Sequence, residues 1–160
     1  MKTAINTDPH TLNFKPSTFN SAQHSLKPST FSYYVGRPWI NGQYDCWTLV
    51  RDVYRDQLGI ELPNIVVDCD NLRQVIRAFE DDINLSPWQP IEQPDHLCLV
   101  FFTPGHERAT HCGVWLDIAD GRYLHCTRTS GSVCENRQSL EMNGWTKPRY
   151  YRHVGCGKTP

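Results

Sequence analysis

The sequence predicts an α+β domain built on an antiparallel sheet. Three observations carry this. Apolar residues recur at helical spacing between 45 and 82, short strand-like runs occupy 96 to 153, and a proline-rich connection lies between them. Helices first and strands afterwards point to segregated layers rather than alternating units around a parallel sheet. The 160 residues suit one domain with a sizeable core.

Residues 1–31 are rich in Ser, Thr, Asn and Pro and carry KPSTF twice, at 15–19 and 27–31. Two copies are too few for a repeat architecture, and such composition disfavours a packed core. This segment reads as an extended arm with Phe14, Phe19 and Phe31 as docking points, leaving 32–160 as the folded domain. GRPWINGQYDC is punctuated as a loop. A helix is expected from about 45 to 58, with Trp47, Leu49, Val50, Val53, Tyr54 and Leu58 on one face. Asp45 suits its N-cap, and Gly59 followed by Pro63 suits its stop. A second helix fits 70–82, with Leu72, Val75, Ile76 and Phe79 inward. SPWQPIEQP reads as connection. HLCLVFFT is a strand. THCGVWLDI and RYLHC flank Ala119-Asp120-Gly121, a hairpin signal. SVCENR and RYYRHV read as two more strands.

Composition removes several function classes. The formal net charge of -1 offers no basic field for nucleic acid. No apolar run approaches the roughly 18 residues of a membrane span. MKTAINTDPHTLNF has no apolar h-region, so no secretory signal is expected and action outside a cytoplasm would need another route. Seven cysteines, an odd number with no C-x-x-C, read mainly as small buried hydrophobes.

Cys46 stands apart because it opens a helix. The thiolate is the nucleophile, and the positive end of a helix favours that anion. A nearby imidazolium favours it further. His111, which opens the first strand of the predicted hairpin, and His125, which ends the second, are the candidates for base and orienting group. A three-residue loop with Gly121 left-handed pairs Ile118 with Arg122 and so Trp115 with His125. His111, Gly113, Trp115 and His125 then share a face, but the two histidines stand roughly 13 Å apart along the strands. Thr127 or Thr129 is the alternative third member. The backbone N–H of Cys46 is the expected oxyanion donor. The His111-Cys112 and His125-Cys126 pairs offer side chains that zinc accepts. Strand neighbours point to opposite faces, so each pair could give one ligand only. No metal or organic cofactor is expected.

Four separated motifs resemble the NlpC-type cell-wall cysteine peptidases, a papain-like family, over about 34–137. Tyr44-Asp45-Cys46 matches the aromatic-Asp-Cys helix start. DHLCLVFF matches the following G-D-L-V-x-F-type strand. His111-Cys112-Gly113-Val114-Trp115 and Tyr123-Leu124-His125 match the two histidine segments. The branch in phage and prophage tail tips is the most similar. The resemblance implies a papain-like fold, an N-terminal catalytic helix packed on a curled antiparallel sheet. It implies Cys46 as nucleophile, His111 as base and His125 as orienting residue. Asp45 is a helix cap alone or, as the equivalent residue in the family can, also binds a substrate amine; Tyr44, Trp39 and Trp47 are the further candidates at the substrate. The substrate implied is the peptidoglycan stem peptide, cut at an amide such as γ-D-glutamyl-diaminopimelate. Departures are Trp47-Thr48, where Ser-Gly is common, and Trp39, where a Tyr hydroxyl is common; Tyr34 or Tyr44 could supply that hydroxyl. A wall hydrolase without a signal would reach the periplasm on a phage tail, beside tail proteins, or as a secreted antibacterial effector with a cognate immunity protein. Rival readings are an acyltransferase or deamidase on the same scaffold and a non-catalytic tail-assembly or binding module.

Overall fold

The computed structural model describes residues 30–105 and 108–157, apart from the side chain of Ile83. Phe14, Phe19 and the first KPSTF copy lie outside the described residues. Phe31 lies inside them, 1% exposed and part of the main core.

Helix α1, Cys46–Leu58, forms where its cap and spacing place it. The Asp45 carboxylate accepts the Thr48 N–H at 2.8 Å, and Gly59 ends the helix with φ 65°. Leu49, Val50 and Val53 on its inner face are fully buried, each worth about 1.5–3 kcal/mol relative to exposure. That face packs on the sheet strands that carry the two histidines. Helix α2, Leu72–Glu80, starts behind an Asn71 cap and is shorter than expected. Val75 is buried and Phe79 stacks on Phe101 at 4.9 Å, but Leu72 is 52% exposed. The inward assignment of Leu72 is corrected: the first turn of α2 runs past the core. Two short helices follow, α3 at Asp82–Leu85 and α4 at Arg137–Met142. No described helix is long and apolar enough to cross a membrane.

The sheet has six antiparallel strands: β1 Trp88–Ile91, β2 Leu99–Thr103, β3 His111–Leu116, β4 Arg122–Thr127, β5 Gly131–Glu135 and β6 Thr146–His153. Their order is β1-β6-β2-β3-β4-β5, an open sheet. β1 lies in the stretch read as a connection, which is a correction. It is an edge strand pairing only with β6, so Pro90 can sit in it without breaking a second ladder. At the other edge, the Gly36 N–H donates to the Ser132 carbonyl at 2.8 Å and the Ser132 N–H to the Arg37 carbonyl at 2.9 Å. The loop before α1 thereby covers the β5 edge, which would otherwise expose unpaired backbone groups.

Alternation divides the strands between two cores. Cys112, Val114, Leu116, Leu124 and Cys126 face α1 in the larger core. Val100, Phe102 and Tyr123 face the other way and pack with Leu140 of α4. His111, Gly113, Trp115 and His125 follow this second parity.

Gly131 has φ 65°, and a Cβ there would lie 2.3 Å from the Arg37 carbonyl oxygen; Gly59 has the same φ with nothing near. Gly59→Ala is expected to cost about 1–2 kcal/mol from the left-handed backbone alone. Gly131→Ala should cost clearly more, because the edge contact must open. Urea unfolding of the two variants, side by side, measures the difference.

Candidate active site

Cys46 is the first residue of α1. The first N–H groups of a helix have no intrahelical acceptor. Asp45 takes the one from Thr48, which leaves those of Cys46 and Trp47 pointing out of the helix start. Trp47 is anchored by its indole N–H, which donates to the Pro63 carbonyl at 3.0 Å. The helix start opens on a cleft of about 400 Å³ whose lining includes Trp39, Asp45, Cys46, Trp47, His111 and Arg128. Its apolar lining comes from Ile65, Val67, Val75, Ala78 and Phe79. Arg128 pairs with Asp70 and lies over the Trp39 ring, 4.7 Å from its centroid.

The hairpin brings the histidines together by a register different from the expected one. Leu116 pairs with Arg122, Trp115 with Tyr123 and Gly113 with His125. The loop has five residues, not three, with Ala119 and Asp120 both at positive φ and the Gly121 N–H closing on the Ile118 carbonyl at 3.0 Å. The shift is two positions, so the shared face survives and the separation halves. His111 Nε2 then lies 2.8 Å from His125 Nδ1. The roughly 13 Å gap expected from the shorter loop is corrected accordingly. Gly113 is what lets the pair close. A Cβ at that position would sit 2.6 Å from the Leu124 carbonyl oxygen and 2.8 Å from His125 Cβ.

Both rings are buried, His111 at 5% and His125 at 0% exposure. His111 stacks on Trp145 at 4.3 Å between centroids and lies over Phe102 at 5.6 Å. Burial, and then His125, hold the His111 imidazole well below its usual pKa. Its Nε2 is committed to His125, so Nδ1 is the nitrogen left to serve a thiol. On the far side of His125, Glu135 Oε2 approaches Nε2 to 3.8 Å. The Asn143 amide donates to both Glu135 oxygens at 3.0 Å. His125 and the Asn143 amide hold the Glu135 carboxyl below the usual carboxylate range, against the opposing effect of burial.

Three other thiols surround Cys46. Cys112 neighbours Cys46, and the Cys69 thiol donates to Asp45 Oδ2 at 3.4 Å. Burial pushes Cys69 and Cys126 up to about 12, with Asp45 adding to the effect at both. Cys112 is raised too, chiefly by burial.

The structure therefore gathers Cys46, Asp45, Trp39, Trp47 and His111 at one cleft, with His125 directly behind His111. Tyr44 is set apart: its phenol accepts from the Arg37 guanidinium at 3.4 Å and is pushed up to about 12 by burial. Tyr34, the other candidate hydroxyl, is bound to Asp56 and Gln57. Thr127 and Thr129 line the cleft, but it is His125 that meets His111. Sequence reasoning passed over Glu135, Trp145 and Asn143. Glu135 stands on β5 across from Tyr123, one diagonal step from His125 and on the same face, a placement visible only once the β4–β5 register is known.

Two outcomes follow from the buried pair. Gly113→Ala should force β3 and β4 apart, costing about 1–3 kcal/mol as overpacking does; urea unfolding reads the loss. A histidine with a depressed folded-state pKa takes up its proton more readily when unfolded. Stability should therefore be unpenalised above about pH 6.5 and fall as the pH drops below it. Thermal unfolding between pH 7 and 5 checks this, and His111→Gln should flatten the slope.

A comparison with curated proteins gives no match. A comparison with protein families matches residues 29–154, most of the chain, to the NlpC/P60 family. The matched range contains the helix start, the cleft and both histidine strands. The chain therefore belongs to the NlpC/P60 family, whose members are cysteine peptidases or amidases of the cell wall.

Proposed function

We propose that this protein is a papain-like cysteine endopeptidase or amidase that hydrolyses an amide of the peptidoglycan stem peptide through a thioester on Cys46. The observation that carries the reading is the 2.8 Å contact that His125 makes, from behind, with His111, which lines the same cleft as Cys46. One ring nitrogen of His111 is held and the other left available, which is what a positioned general base requires.

In the proposed cycle, Cys46 Sγ turns toward His111 Nδ1 and gives up its proton as it attacks the substrate carbonyl. Catalytic hydrogen bonds commonly tighten in this way only once substrate is bound. The oxyanion is received by the Cys46 backbone N–H at the helix start. His111 then protonates the leaving amine as the carbon–nitrogen bond breaks, and the acyl group remains on sulfur. A water molecule, deprotonated by His111, attacks the thioester, and the carboxylic acid leaves as the thiol is restored. Asp45, acidic and at the cleft, is proposed to receive the free amine of the stem peptide while it caps α1. The bond we favour is γ-D-glutamyl-diaminopimelate. Delivery on a phage tail tip or as a secreted effector fits an enzyme whose substrate lies in the cell wall.

The apolar wall from Ile65 to Phe79 favours a second reading. In it, the acyl group passes from Cys46 to an amine or hydroxyl acceptor instead of water.

Mass spectrometry of digested muropeptides separates the readings. The wild type should release stem-peptide fragments gaining one water at the cut, and Cys46→Ala should release none. Because removal of a covalent nucleophile leaves only residual catalysis, the loss should be at least about 10³-fold. Products carrying an acceptor in place of water would select the transferase. No turnover of muropeptides by the wild type would end the hydrolase reading.

A further inference from the structure

The arrangement beyond His125 goes one step further, and this step rests on the hydrolase reading above. We propose that Glu135 is a positioning residue, whose carboxylate sets the tautomer of His125 and through it the tautomer of His111, forming a Glu135–His125–His111 relay behind Cys46.

The argument is one of counting protons on ring nitrogens. A neutral imidazole carries one N–H and one lone pair. For His111 Nδ1 to take a thiol proton, it must hold the lone pair, so Nε2 must hold the N–H. That N–H points at His125 Nδ1, 2.8 Å away, which must then be the acceptor. His125 is consequently protonated at Nε2, and that N–H needs an acceptor of its own. His125 is fully buried, and its Nε2 has no hydrogen-bond partner. The polar group facing it is Glu135 Oε2 at 3.8 Å, about 1 Å beyond hydrogen-bond length. A small side-chain movement closes the chain. Without an acceptor there, His125 gains by turning its N–H to Nδ1, and His111 would then hold its proton on the wrong nitrogen.

Glu135 is built for this place. It stands on β5 across from Tyr123, so its side chain falls diagonally beside His125 on the same face. Its side chain is 15% exposed. The Asn143 amide clasps both of its oxygens from the end of α4. A carboxylate in this position also opposes the burial of two imidazoles. When His111 becomes an imidazolium in mid-cycle, the negative charge one ring away stabilises it, as a buried acid does behind a catalytic histidine.

The test reads tautomers directly. In protein labelled with ¹⁵N-histidine, long-range ¹H–¹⁵N correlation at pH 7.5 assigns the protonated nitrogen of each ring. The expected wild-type pattern is Nε2–H for both His111 and His125. In Glu135→Leu, His125 should move toward Nδ1–H. Glu135 also lines the cleft, so the test is the split: the muropeptide kcat should fall by at least about tenfold and by clearly more than KM changes. Glu135→Gln, which keeps an acceptor without the charge, should retain the wild-type tautomers and recover part of kcat. An Nδ1–H tautomer of His125 in the wild type overturns the relay, and so do unchanged tautomers in a folded Glu135→Leu. If Glu135→Leu does not fold, the wild-type spectrum and Glu135→Gln still decide. A wild type inactive on muropeptides would count against the hydrolase reading alone, because the tautomer pattern is read without turnover.

Discussion

The structure of the candidate site depends on how closely β3 approaches β4 at Gly113. Cross-strand side chains on one face ordinarily stand side by side, each above its own Cα. Here one member of the pair is a hydrogen atom, and the Cβ of His125 occupies the vacated space. His125 can then lean along the strand toward His111, two residues away, until the rings touch. The contact therefore rests on three separate choices: the parity of the hairpin, a loop long enough to shift it by two, and the absence of a side chain at 113. A one-residue slip would send His125 into the core under α1.

That contact has an electrostatic cost. The His111 imidazole, buried against Phe102 and Trp145, resists gaining a proton, and the proposed mechanism requires it to do so. The thiolate–imidazolium pair anticipated from the helix start is thus not what burial favours at rest, since His111 is held neutral. A neutral base acting in concert with attack on substrate is the more economical description. The charge then appears only when an oxyanion and the helix start are there to balance it.

Much of this was legible in the sequence, and what was missed has identifiable causes. Helix α1 was readable because cap, apolar face and terminating glycine agree, each a local signal. Strands β2 to β6 were readable from alternation and turn residues. The hairpin parity was right because it depends only on whether the loop is odd or even. The register was wrong because Ala119 and Asp120 take left-handed conformations that such residues rarely adopt, so Gly121 alone appeared to mark the turn. β1 was hidden by Pro90, whose tolerance depends on being at an edge, and edges are a property of the assembled sheet. Leu72 looked inward because periodicity reports a face and not where the core ends. Glu135 and Asn143 matter only through partners distant in sequence, which no local pattern reveals.

The same logic explains how one sulfur can be singled out among several. Cys46, Cys69, Cys112 and Cys126 are close enough to influence one another, and all four are chemically identical. Their surroundings differ. Cys112 and Cys126 point from the sheet into the core beneath α1, and Cys69 faces the Asp45 carboxylate. Each of these settings penalises an anion, by burial first and by a neighbouring negative charge second. Cys46 alone among them sits where unsatisfied backbone N–H groups converge, at the mouth of a cleft that also admits an imidazole. Asp45 caps α1, and its charge adds, well behind burial, to the penalty on thiolates at 69, 112 and 126. The three neighbouring thiols are thus held back first by burial, with the charge of Asp45 a smaller addition.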